Sequence, residues 1–130
     1  MDNALDASVI LALMLKENGH EKVTEALASG SGACTVNLAE VVGRCARVGM
    51  PRNEIQSMIG LLPVTWVDAD MELAFRAGEM IAVTKPFGLS LGDRYCLALA
   101  ARESVPTLTA DAQWLNVASL LGIEVALIRS

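Results

Sequence analysis

The chain has little of what many catalytic centres are built from: one histidine, three cysteines and only 4% aromatic residues. Cys34, Cys45 and Cys96 are odd in number and show no C-x-x-C spacing, which argues against a disulfide framework and against a zinc knuckle. His20 sits in a polar turn between helices and reads as a surface residue, so no Ser-His-Asp set is available. The longest apolar run, Val9 to Leu15, falls far short of the roughly 20 residues that span a bilayer, so no membrane segment is expected. The opening MDNALDAS carries no Lys or Arg, so a positively charged secretory leader does not fit. The expected compartment is therefore the cytoplasm, with reduced thiols. An excess of cations is missing as well: net charge is −5 and the pI about 4.8. The overall field does not favour nucleic acid, and any such binding needs a local patch.

What the chain does have is apolar bulk, at 53% hydrophobic residues and a mean hydropathy of +0.44. That is too apolar for disorder and enough to fill one core, so residues 1–130 read as a single domain with part of the apolar excess left for an interface.

Helical and extended signals alternate. Asn3 to Leu5 reads as a short strand, and Ile10, Leu11, Met14 and Leu15 repeat as a helix face from Ala7. A second helix passes through Val23 and Leu27, SGSGA from Ser29 to Ala33 reads as a chain break, and Cys34 to Val36 as a brief strand. Leu38, Val41, Val42, Cys45 and Ala46 form an amphipathic stripe ending near Gly49, and Pro51 opens the next helix. Val64 to Val67 is a strand, about Asp70 to Val83 a helix, and Lys85 to Gly88 a loop. Ser90 caps a further helix, Pro106 to Thr109 is a strand, Asp111 opens a helix, and Glu124 to Ile128 is a last strand. The alternation predicts an α/β fold with a parallel sheet covered on both faces.

In such sheets ligands bind outside the carboxyl ends of the strands. Asp6 follows the first strand, Asp111 follows the fourth, and Asp93 lies in the first turn of LSLGDRYCLALA, so three acids point toward one cleft. Glu40 lies about 160° from Leu38 at 100° per residue, away from the apolar stripe and on a face shared with Arg44 and Arg47. Gathered carboxylates repel, and a hard divalent cation with oxygen ligands offsets that, so Mg2+ or Mn2+ is implied and zinc is not. Each acid also has an ordinary reading. Asp6 and Asp111 serve equally as N-caps, Asp93 as the capping-box partner of Ser90, and Glu40 as half of an exposed pair with Arg44.

Four segments in order, ALDASVILALMLKE, TVNLAEVV, LSLGDRYCLALAARE and PTLTADAQW, cover most of the chain. Together they make it resemble the PIN-domain nucleases, in particular the VapC-like toxins of bacterial toxin–antitoxin pairs. The resemblance implies a three-layer α/β/α sandwich with a central parallel sheet, and it makes Asp6, Glu40, Asp93 and Asp111 the metal-binding acids. Ser8 and Thr109 fall where the family commonly carries a small hydroxyl residue supporting the site. Thr35 reads either as a further neighbour or as its helix's cap. Arg94 stands where a small residue is frequent, and reads either as a partner of a carboxylate or as a contact for substrate. The resemblance further implies a homodimer, RNA as substrate, Mg2+ or Mn2+ as cofactor, and a small VapB-like antitoxin that blocks the cleft.

Local attraction for a polyanion is expected from Arg44, Arg47 and Arg52. Met50, Met58, Leu61, Leu62 and Trp66 read chiefly as core, with part of that region available to a partner, and Trp114 as packed on the sheet rather than stacked on a base. A PIN nuclease of RNA processing and a non-catalytic PIN scaffold remain as alternatives. A phosphoacceptor domain fits poorly for want of paired acids near the first strand and of a late lysine, and a haloacid-type phosphatase because Ser8 stands where its second acid belongs.

Overall fold

A computed structural model describes residues 1–129. Five strands form one parallel sheet: β1 Asn3–Leu5, β2 Ser31–Cys34, β3 Val64–Val67, β4 Thr107–Thr109 and β5 Val125–Leu127, in the order β3-β2-β1-β4-β5. The chain builds outward from β1 to β3, then returns to the other side of β1 for β4 and β5. The order therefore reverses between β1 and β4, and that is where a parallel sheet opens a crevice.

Helices α1 Ala7–Met14, α2 His20–Ser29, α3 Thr35–Arg47 and α4 Arg52–Gly60 connect the first three strands. Helices α5 Met71–Glu79, α6 Ile81–Thr84, α7 Leu91–Glu103 and α8 Trp114–Leu121 connect the rest, with a 3-10 turn at Lys85–Phe87. Alternation along the strands divides the core between the two sheet faces. Ala4 and Cys34 pack with Leu73, Leu97, Leu99, Trp114 and Val117, while Leu5 and Ala33 pack with Val9, Ile10, Val23 and Val41. This is the three-layer α/β/α sandwich. Trp114 is fully buried, as expected. No helix among the described residues is long and apolar enough to cross a membrane.

Three local expectations are corrected. The SGSGA segment is not a break: the chain turns at Gly30 alone, Ser31 to Cys34 form a central strand, and Thr35 and Val36 already belong to α3. Pairing with both β1 and β3 outweighs the weak strand propensity of Ser and Gly. The helix expected over 70–83 divides after Glu79, with Met80 between α5 and α6, and the Thr84 hydroxyl donates to the Met80 carbonyl at 2.9 Å across α6. Met50, Met58, Leu62 and Trp66 are only half-buried and Leu61 is 83% exposed, because β3 is an edge strand that α4 covers incompletely.

Candidate active site

A cavity of about 710 Å3 opens over the ends of β1 and β4. It is lined by Asp6, Glu40, Asp93 and Asp111, with Ser8, Arg44 and Arg47 beside them. The chain brings together here all four acids singled out in the sequence.

Asp6 leaves β1 as the N-cap of α1, and it is only 4% exposed. Its Oδ1 accepts the Val9 amide at 2.9 Å and the Ser8 hydroxyl at 2.7 Å, while Oδ2 accepts the Thr109 hydroxyl at 2.7 Å. The two hydroxyls also tie the strand ends together: Ser8 Oγ accepts the Ala110 amide and Thr109 Oγ1 the Asp111 amide, both at 3.1 Å. Burial pushes the Asp6 carboxyl up from 3.8 to about 6 against the pull of these bonds, and the charge of Asp93 adds to the rise.

Asp93 closes the expected capping box, accepting the Ser90 amide on Oδ2 at 2.8 Å while its own amide donates to Ser90 Oγ at 3.2 Å. Burial raises its carboxyl too, the Ser90 bonds oppose this, and the charge of Asp111 reinforces it. Asp111 does not cap α8 directly: that helix starts at Trp114, and Asp111 Oδ1 accepts the Gln113 amide at 2.9 Å in the turn before it.

Glu40 is held from its own helix. Asn37, fully buried, donates through Nδ2 to Glu40 Oε1 at 2.9 Å and to the Gly92 carbonyl at 3.0 Å. Its Oδ1 is buried with no partner, a loss of about 1–3 kcal/mol.

Arg44 and Arg47 line the cavity and make no ion pair among the described residues. Arg52 lies apart from them, in an apolar groove between α3, α4 and β3. Arg94 does not reach the acids, since its Nη1 donates to the Ala77 carbonyl at 3.0 Å and so links α7 to α5. Thr35 is neither cap nor site neighbour: its Oγ1 accepts the Ala69 amide at 3.0 Å. His20 pairs with Glu21 at 3.2 Å at the start of α2.

Sequence reasoning missed Glu17 and Arg129, which complete the cavity wall. Gly19 brings them there: its φ of +96° and the close approach of the Ile128 carbonyl leave no room for a Cβ, so the turn after α1 seats against the end of β5. Arg129 Nη1 then donates to the Asn18 carbonyl at 2.9 Å. Asn37 was also missed, although a signal existed, since it heads the stripe Asn37, Val41, Cys45 as its one polar member.

The donor set is all carboxylate oxygen, and repulsion among Asp6, Asp93 and Asp111 is what a hard cation relieves, so the residues fit a divalent ion by chemistry. The acids stand around the cavity rather than closed on one point: among the described residues no three acid, His or Cys side chains converge on an ion-sized space.

A PIN domain family model matches residues 4–120, and the chain belongs to the PIN-domain family, a family of nucleases. Among solved structures, a chain of DNA-bound VapBC from Salmonella typhimurium is 14% identical with 98% of each chain covered and a TM-score of 0.78. A chain of VapBC2 from Rickettsia felis, bound to a promoter DNA fragment, is 17% identical with 98% of each covered and a TM-score of 0.73. VapBC-5 from Mycobacterium tuberculosis, of a toxin–antitoxin family, is 18% identical over 100% of each chain with a TM-score of 0.61. At such identities the likeness is one of fold. No curated protein sequence matches the chain.

Proposed function

We propose that the chain is a VapC-like toxin, a Mg2+- or Mn2+-dependent endoribonuclease of the cytoplasm that a cognate VapB-like antitoxin holds inactive. The observation that carries this reading is the cavity at the switch point, which Asp6, Glu40, Asp93 and Asp111 line together, with Asp6 buried. Its fold likeness to chains of VapBC complexes supports the toxin role and the antitoxin partner.

The four carboxylates would hold the metal, with Ser8 and Thr109 fixing the orientation of Asp6. When bound, a divalent ion supplies Lewis-acid attraction for a phosphate and makes water acidic enough to act as nucleophile near neutral pH. Arg44 and Arg47 attract the flanking phosphates of a strand laid across the cavity. No side chain here needs to form a covalent intermediate. Apolar side chains left in solvent, among them Met71, Phe75 and Ile81, supply surface for a homodimer.

The test is incubation of the purified, antitoxin-free chain with total RNA and Mg2+ or Mn2+, with and without EDTA. Discrete EDTA-sensitive cuts are expected, with the rate falling at least about 100-fold in Asp93→Asn while the melting temperature holds within a few degrees. RNA left intact by the folded chain with either metal would favour the non-catalytic scaffold.

A further inference from the structure

We propose that Asn37 and Gly92 form a seat for the Glu40 carboxylate, Asn37 as the positioning residue that donates to it and Gly92 as the gap that admits it. The proposal rests on the reading of the four acids as a metal site.

Glu40 differs from the other three acids. Asp6 is gripped by three donors, Asp93 by its capping box and Asp111 by the Gln113 amide, all close to their own backbones. Glu40 is an exposed residue with a longer side chain, and among the described residues its one hydrogen-bond donor is the Asn37 amide. Both Nδ2 hydrogens of Asn37 are used, one on Glu40 Oε1 and one on the Gly92 carbonyl. The reverse orientation of that amide would face an oxygen toward two oxygens, so the chemistry fixes which end donates. Its Oδ1 has no partner in a fully buried setting. An apolar residue would continue the stripe of Val41 and Cys45 without that loss, so the amide is present for what it donates.

Gly92 supplies the second half. It is buried, its φ is not positive, and nothing in the backbone of α7 calls for glycine there. What does call for it is space, because a Cβ at Gly92 would overlap the Glu40 carboxylate. Asp93 is the next residue. A single amide thus fixes α3 to α7 at the point where each helix presents an acid.

The experiment is calorimetric titration of Mn2+ into the full chain, freed of metal, for the wild type, Asn37→Ala, Gly92→Ala, Glu40→Ala, and each of the first two combined with Glu40→Ala. Asn37→Ala and Gly92→Ala should each weaken Mn2+ binding about tenfold, the scale at which partners of metal ligands act. In the Glu40→Ala background neither should weaken it further. Gly92→Ala displaces only the free end of a flexible side chain, so it keeps its melting temperature and decides the matter alone should Asn37→Ala fail to fold. Wild-type affinity in Gly92→Ala, or equal losses with and without Glu40, overturns the seat while leaving the metal reading intact. A wild-type chain that takes up no Mn2+ overturns the metal reading, and the seat with it.

Discussion

Two cavities of similar size flank α3, and they are opposites. The acid cavity holds about 710 Å3 and the apolar groove between α3, α4 and β3 about 790 Å3. Helical periodicity assigns the residues of α3 to three stripes. Asn37, Val41 and Cys45 face the core, Glu40, Gly43, Arg44 and Arg47 face the acid cavity, and Leu38, Val42 and Ala46 face the groove. In the first cavity the chain accepts a cost, burying a carboxylate and crowding others near it. In the second it leaves apolar surface uncovered, which is a loss of a different kind. Crowded charge specifies a chemistry, since only a cation or a proton relieves it; uncovered apolar surface specifies a docking place without a reaction.

The largest expected effect follows from the first half of that contrast. A folded-state carboxyl raised from 3.8 to about 6 prefers to be protonated, so the stability Asp6 contributes is complete below pH 3.8 and is lost as pH climbs through about 6. The swing is about 3 kcal/mol in the metal-free chain. Denaturation of wild type and Asp6→Asn in EDTA between pH 3.5 and 7.5 measures it, and the difference between the two should move in favour of the variant as pH rises. The raised carboxyl of Asp93 acts in the same direction. A difference that stays flat with pH would mean that the cavity stores no such cost, and its contrast with the groove would go.

A middle effect concerns Arg44 and Arg47. With no carboxylate among the described residues paired to either, they are available to phosphates. Arg44→Ala combined with Arg47→Ala should raise the KM for RNA about tenfold and make the log–log salt slope shallower by about 1.4, for two contacts on a single strand. Turnover should hold. Unchanged affinity and slope would remove the arginines from the substrate path.

Much of this was legible in the sequence, for physical reasons. Strand and helix alternation is written in hydrophobic period, and the acids sit beside turn and cap signals, which is why Asp6, Asp93 and Asp111 could be placed against the strand ends. Ser90 and Asp93 could be paired because a capping box is local. What escaped depends on distance along the chain. Ser31 and Gly32 look like loop residues until β1 and β3 are known to pair on either side of them. The Ser31 hydroxyl also meets the Asn3 side chain at 2.7 Å, an interaction no local window contains. Arg129 joins the site from the far end of the chain through Gly19 and Asn18, and Arg52 leaves it because α4 turns toward the groove. Met50, Met58, Leu61, Leu62 and Trp66 read chiefly as core, with only part of the region left to a partner, because composition does not reveal that β3 is an edge strand.

The smallest effect is the sharpest test of independence between the two cavities. Val42 is half-buried in the groove, two residues from Glu40, and so about 200° away around the helix. Val42→Ala removes two methyl groups from surface already partly in water, a loss of at most about 1 kcal/mol that the better helix propensity of alanine partly offsets. RNA cleavage by the isolated chain should therefore stay within about twofold of wild type, because the buried stripe of Asn37, Val41 and Cys45 anchors α3 between the cavities. A fall comparable to that of the arginine variant would show instead that α3 shifts as a body when its groove side is trimmed. The groove would then act on the acids through the helix they share, and whatever docks there would regulate cleavage without touching the site.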